Sequence, residues 1–421
     1  MGTFSNQVII NNDIKGVKTY VMPTGAKDVI TISGSILGGS IHCADKNSKL
    51  AALVATMLDK GTVKKDKYEI SETLESVGAE LNFSSTRHHT HFTGFCLNND
   101  LDTLLSLLAE QLMTPSFSND ELSTLKSRIC GNLERDKEDT KKIAMTHFLR
   151  RLFPKHHPNY RDTIDESINL VNKITTKDLF AFHKQRYGRG SIKIAAAGDI
   201  NPEEFNELII GPLGAWEKKE TIIPPIKEKA KDPKESNETI NVPDKTSSDL
   251  YIGQSIGIDS EHKDYYALML GVYILGGNFS ARLMQTVRDK QGLTYGIGSS
   301  ISGVSFGADG YWSIWGTFAP DILKKGIKAT KEQIDLWFKK GVTGDELSAK
   351  KTTINGSYKV SLDSTAGLAG KILSNAEHGR KITYLDKYPK IIENISLSEV
   401  NNAIKKHINP NKLYIVSAGT P

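Results

Sequence analysis

Cysteine is scarce in this chain of 421 residues: Cys43, Cys96 and Cys130 are its only three, and no two of them form a CxxC pair. An odd, widely spaced set of this kind excludes a disulfide framework and a thiolate zinc cluster. Long apolar runs are also missing, so no segment is expected to cross a bilayer, which takes roughly 18 apolar residues. The opening MGTFSNQVIINN has no charged stretch leading into an apolar one, so it does not read as a secretory signal. Charge of one sign is lacking too. The 54 Lys and Arg stand against 49 Asp and Glu, a formal net charge of +5, and the lysines are scattered. A nucleic-acid binder concentrates its positive charge in a dense stripe, and no such stripe is present. What remains is a composition of 38% hydrophobic and 24% charged residues, the balance of a folded chain with its own core.

The sequence repeats itself. ITTKDLFAFHKQRYGRGSIKIAAAG, from Ile174, aligns without a gap on ISLSEVNNAIKKHINPNKLYIVSAG, from Ile395, at an offset of 221. Each copy predicts a short helix capped at Thr175 or Thr176, or at Ser396 or Ser398, with Asp178 or Glu399 in its first turn. A Gly- or Pro-containing turn and an apolar strand ending in Ala-Gly follow. The chain is therefore read as a duplicated domain: 1–216, a linker 217–238, and 239–421. The linker carries three prolines, six Lys, five Glu and one Asp in 22 residues, too polar to bury a core and expected to lack regular structure.

Strand and helix signals alternate within each half. Val29 to Gly39 reads as a strand and turn, and Leu50, Leu53, Val54, Met57 and Leu58 have the spacing of a buried helix face. The segment from Gly78 to Leu97 alternates with a period of two, as one long strand or a strand pair. From Ser118 to Phe153 a single long helix is expected, with a serine cap and an acidic first turn. The fold class is α+β: two homologous domains, each an antiparallel-rich sheet packed with helices.

These segments resemble the M16 metallopeptidases, the pitrilysin-like or inverted-zincin family, and within it the half-size bacterial class of two homologous domains. The motifs are GSILGGS, MLDKGT, GAELNFSSTRHHT, FPKHHPNY, AAAGD and, above all, LGGNFSARLMQTVRDKQGLTYGIGSS, in which Gly276-Gly277, Ser280, Arg282-Leu283, Arg288, Gly292-Leu293 and Tyr295 fall together. The resemblance implies domains of the LuxS/MPP-like metallohydrolase type. Active members carry HxxEH, whose two histidines one helical turn apart bind zinc while the glutamate activates a water. Anchored on Met57 and Lys60-Gly61-Thr62, the histidine positions fall on Ala52 and Thr56, the base on Ala55 and the distal glutamate ligand on Leu133. None of these side chains can serve as a zinc ligand or the base, so no metal and no cofactor are expected in this chain. Glu134, one residue past the distal position, is turned about 100° around its helix.

Other histidines are candidate ligands. His89 and His91 share a face on an alternating strand while His88 points away; with Glu134 they would make a three-ligand cluster, against the reading of a polar edge strand lining a cleft. His156-His157 reads as a structural turn, and His42 as a surface residue.

The resemblance leaves this chain a supporting part. In the heterodimeric branch a partner without the zinc motif carries an Arg/Tyr pair, which Arg288 and Tyr295 match. A guanidinium and a phenol would stabilise the oxyanion formed when zinc-bound hydroxide attacks a peptide carbonyl. The alternative is a helix-ending arginine with Tyr295 packed beneath it. Gly276, Gly277, Asn278 and Ser280 resemble the family's flexible glycine-rich substrate loop; no GK[ST] follows, which excludes a phosphate loop. Asn82 to Thr86, with Asn82 and Ser84, resembles the edge strand that takes an extended peptide by β-augmentation. The expected function is that of a non-catalytic subunit of a periplasmic or secreted zinc peptidase, pairing with a zinc-bearing subunit of similar size. The alternative is a non-enzymatic scaffold or peptide-binding subunit.

Overall fold

The structure is a computed structural model that describes residues 3–12, 16–43, 47–219 and 221–420. Eleven strands are found among the described residues: β1 Ile9–Asn11, β2 Val17–Pro23, β3 Val29–Leu37, β4 Glu80–Ser85, β5 His89–Leu97, β6 Ile192–Gly198, β7 Ser236–Asn241, β8 Ser248–Ser255, β9 Gly296–Ser302, β10 Tyr311–Phe318 and β11 Tyr414–Gly419. They form two sheets, ordered β1-β2-β6-β3-β5-β4 and β7-β11-β8-β10-β9. Only β2 with β6 and β7 with β11 run parallel; every other pair is antiparallel. The helices are α1 Leu50–Met57, α2 Lys67–Glu75, α3 Leu101–Met113, α4 Asn119–Asp136, α5 Thr140–Leu152, α6 Ile164–Lys173, α7 Thr176–Arg186, α8 Pro202–Gly214, α9 Tyr265–Gly276, α10 Leu323–Lys340, α11 Gly344–Ser361, α12 Thr365–Glu377, α13 Tyr384–Asn394 and α14 Leu397–His407.

The repeat is legible in three dimensions. Thr175 and Ser396, 221 residues apart, each close a capping box, with Asp178 and Glu399 returning the second bond, so α7 and α14 begin at matching positions. β6 and β11 are the matching strands, each second or third from the same side of its sheet. Both end in a glycine at positive φ, Gly198 at 146° and Gly419 at 152°. A Cβ there would lie 2.1 Å from the Val29 carbonyl oxygen or 2.4 Å from Ser248 Oγ, which explains the glycine that closes each copy.

The compact units are not contiguous in sequence. One comprises residues 1–130, 167–224 and 357–390; the other comprises 131–166, 225–356 and 391–421. In the first, α12 lies on β6 and β3, with Ala195 and Ala197 against Ala369, Ile372 and Leu373. The small β6 alanines let the helix backbone come close. In the second, α5 lies on β8 and β11 through Phe148, Leu149 and Leu152 against Tyr251, Tyr414 and Val416. Each sheet thus receives one covering helix from the opposite half of the sequence, α12 in one case and α5 in the other.

Local departures from the sequence reading have local causes. The long helix expected from Ser118 is two: α4 ends at Asp136, and Asp139 accepts the Lys142 amide at 3.0 Å to cap α5 anew. Ser118 caps α4 as expected, accepting the Glu121 amide at 3.2 Å. Gly78–Leu97 is a strand pair, β4 with β5. Residues 217–235 have no regular structure where described, Glu220 lying outside the described residues, whereas Ser236–Glu238 open β7 with Glu238 held by Arg151 at 2.7 Å.

Candidate functional site

The site begins on α1. Ala52 and Thr56 sit one turn apart on its more exposed side, and the Thr56 hydroxyl donates back to the Ala52 carbonyl at 2.9 Å, a bond within the helix. Ala55 is fully buried. Leu133 is half-buried on α4, and Glu134 beside it is exposed and paired with Lys137 at 2.9 Å. Of the four positions Ala52, Ala55, Thr56 and Leu133, only Thr56 carries a side-chain heteroatom, a neutral hydroxyl, so the imidazole and carboxylate donors of a hydrolytic zinc centre are missing from them.

In the second unit, α9 runs into the glycine loop, then a π-helical turn, Met284–Lys290, carries Arg288. Tyr295 follows at the head of β9, an edge strand, and is 90% exposed. The Arg288 guanidinium lies 5.7 Å from the Tyr295 ring centroid and 5.7 Å from that of Phe279, also exposed. Arg288 lies in the last turn of the π-helical segment with its guanidinium over the Tyr295 ring, while the ring itself stands in solvent. Arg288, Tyr295 and Phe279 border a cleft of about 700 Å³ whose lining includes Gly276–Asn278, Met284, Ile297 and Trp315. The floor is apolar and the rim is cationic and phenolic, a combination suited to an extended chain carrying an apolar side chain and a carbonyl.

The glycines are required by close approach rather than by flexibility. A Cβ on Gly276 would meet the Ser299 amide nitrogen at 2.6 Å, and one on Gly277 would meet the Tyr273 ring at 2.2 Å. The loop is also latched. Lys350 on α11, almost fully buried, donates to Asn278 Oδ1 at 2.9 Å, to the Ser280 carbonyl at 3.1 Å and to Ser280 Oγ at 2.6 Å. Burial lowers its pKa, with Glu346 pulling the other way. Arg282 is bound by Glu346 through both carboxylate oxygens at 2.6 Å and reaches the Gly341 carbonyl at 2.9 Å. Phe279, Lys350 and the Arg282–Glu346 pair are not distinguished by the sequence alone; the DELSAKK run gives only a helix signal.

The sequence profile described as "Peptidase M16 inactive domain" matches residues 173–354, and that described as "Insulinase (Peptidase family M16)" matches residues 24–157. The chain belongs to the M16 peptidase family. Among its M16 relatives is an uncharacterized zinc protease of Mycobacterium tuberculosis, 23% identical over 354 residues that cover 84% of this chain and 79% of the relative. Another is a non-peptidase homolog of Helicobacter pylori, 23% identical over 380 residues, 89% of this chain and 85% of that protein. A solved peptidase M16 inactive domain from Pseudomonas fluorescens superposes with a TM-score of 0.89 at 26% identity, covering 98% of both chains. The α+β fold of two homologous sheets is therefore the M16 fold, and the chain is an inactive-type member.

The remaining histidines sort by environment. His157 is a structural residue, as read: its Nε2 meets Asp309 Oδ1 at 2.7 Å, its Nδ1 accepts the Asn159 amide, and its ring stacks on Phe153 at 4.3 Å. His42 is not at the surface. It is buried in a short 3-10 turn, Ser40–Cys43, and burial, with Arg186 adding to it, lowers its pKa to about 4. β4, with Asn82 and Ser84 exposed, is the M16 sheet's edge, whereas the His89–His91 segment is in β5, the strand inside it, so it is not the edge strand expected. His89 and His91 do share a face, and the acid they meet is Glu377 at the end of α12, not Glu134. Among the described residues no helix is long and apolar enough to cross a membrane.

Proposed function

We propose that this chain is the non-catalytic subunit of a two-chain M16 zinc peptidase, in which a partner of similar size carries the zinc and this chain presents Arg288 and Tyr295 to the scissile carbonyl. The observation that carries the reading is the exposed, cation-flanked Tyr295 at the mouth of the apolar cleft, in a chain whose own zinc positions are Ala52, Thr56 and Leu133. Burying a tyrosine ring is favourable, whereas this one is left 90% exposed beside an arginine. Two donors fixed on a π-helical turn and the head of β9 are suited to a developing oxyanion. The glycine loop in one unit and the β4 edge in the other are each suited to peptide main chain, with little sequence preference. The peptide class is an extended or unfolded polypeptide.

The test is reconstitution. The chain alone should hydrolyse no peptide; mixed with a zinc-bearing M16 chain that has intact HxxEH and is encoded beside it, it should form a stable complex with peptidase activity neither chain shows alone. A partner fully active by itself, with no change on adding this chain, would favour the second reading, a scaffold, to which the Helicobacter pylori non-peptidase homolog lends its name.

A further inference from the structure

In the first unit, β5 and α12 bring together three donors. His91 Nε2 lies 2.8 Å from Glu377 Oε1 and His89 Nδ1 lies 3.9 Å from the same oxygen, and one ligand atom from each of the three residues lies within 4.8 Å of the other two. His91 and Glu377 are 286 positions apart in sequence. His89 is 2% exposed and the Glu377 side chain 9%. His91 is paired across the sheet with Ser35 on β3 and Ser84 on β4. We propose that His89, His91 and Glu377 form a binding site for one borderline divalent cation, Zn²⁺ above all, separate from the position that the family's hydrolytic zinc takes on α1.

The donor set selects the ion. Two imidazole nitrogens and one carboxylate oxygen suit zinc and its neighbours, whereas Ca²⁺ and Mg²⁺ ask for an all-oxygen shell. Three protein ligands leave one tetrahedral position for water. Binding replaces the hydrogen bond between His91 Nε2 and Glu377: the single ring proton of His91 sits on Nδ1, and His89 and His91 each offer a lone pair as neutral imidazole. Such an ion would tie the last turn of α12 to β5. Among the described residues no lysine or arginine forms an ion pair with Glu377; Lys193 on β6 acts on it only through space. The other such cluster among the described residues, His262, Asp264 and His407, differs on this point: the Lys406 ammonium already occupies Asp264 Oδ2 at 2.7 Å, beside His407 at 2.8 Å, so it holds its own cation. It serves as the internal control.

The experiment uses the full chain, stripped of metal with a chelator and titrated with Zn²⁺ against a chromophoric competitor, then with Co²⁺ for its ligand-field absorption. The expected result is one equivalent bound, with a rise in melting temperature that scales with free Zn²⁺. His91→Gln and Glu377→Gln should each weaken binding by about 100-fold or more, beyond the 10–100-fold typical of removing an outer hydrogen-bond partner. His91 is part-exposed, and the amide introduced by Glu377→Gln can still bond to the His91 ring, so both variants should keep the wild-type circular dichroism; the binding readout then stands apart from folding. Lys193→Met should tighten binding, and His407→Gln should leave it unchanged. No stoichiometric binding by the wild type, binding that survives both His91→Gln and Glu377→Gln, or binding lost in His407→Gln would overturn the proposal.

Discussion

Replacing Lys350 by Met should loosen the glycine loop without unfolding the unit around it. The ammonium makes three bonds to the loop, at 2.6, 2.9 and 3.1 Å, and is the only described basic group that joins α11 to Asn278 and Ser280. A hydrogen bond to a charged group is worth about 1.5–3 kcal/mol. The burial penalty on the lysine disappears with it, so the net loss expected is that of roughly one such bond, while the methionine keeps most of the aliphatic packing. Since about 1.4 kcal/mol is a factor of ten, amide exchange in the loop should accelerate by about 10- to 100-fold. The reporter is the Ala281 amide, which donates to the Asn278 carbonyl at 3.0 Å. Native-state hydrogen exchange read by mass spectrometry or NMR gives that rate directly. Strands β8 and β10, to which Lys350 makes no described hydrogen bond, should keep wild-type protection. Unchanged exchange at Ala281, or an equal loss of protection throughout the unit, would refute the idea that Lys350 is a local latch.

Three further outcomes follow from the same geometry. Gly276→Ala places a methyl 2.6 Å from the Ser299 amide nitrogen and 2.9 Å from Leu283, and should destabilise the second unit by about 1–3 kcal/mol in denaturant titration; a neutral effect would mean the α9–β9 contact is looser than described. His42 is held neutral with a pKa of about 4, below its ordinary 6.5, so between those two values the unfolded chain takes up a proton that the folded chain refuses. Its contribution is intact above pH 6.5 and lost as pH falls toward 4, and His42→Leu should reduce the pH slope of stability by up to about 1.4 kcal/mol per unit in that window; an unaltered slope would count against the buried neutral state. Limited proteolysis should cut first within residues 217–235, and a first cut in α1 would contradict the packing of that helix.

Much of the fold could be read from the chain because it is written twice. The 221-residue offset located α7, α14, β6 and β11, and the Ala-Gly endings marked the two backbone crossings that demand glycine. What the sequence could not convey was which helix covers which sheet. α12 and α5 have the same amphipathic pattern as helices that stay with their own half, and apolar periodicity says that a face is buried without saying against what. The break at Lys137–Asp139 was hidden because Asp139 reads equally well as a helix-interior residue and as a cap. At the site, Arg288 and Tyr295 were visible as a pair, but the exposure of Tyr295 and its neighbour Phe279 depends on β9 being an edge. Glu377 carried no signal beside His89 and His91, since only the packing of α12 brings it to β5.

The central claim is that this chain completes another chain's active site, and kcat/KM of the reconstituted complex with Tyr295→Phe placed only in this subunit tests it most directly. The ring is 90% exposed, so losing its hydroxyl should leave folding, gel-filtration behaviour and peptide binding as they were. Loss of one oxyanion donor typically costs on the order of 10²–10³ in kcat, about 2.7–4 kcal/mol, and the effect should not add to that of Arg288→Ala if both groups hold one developing charge. The account predicts a fall of that size with the complex intact; wild-type turnover from an intact complex carrying Tyr295→Phe would contradict it.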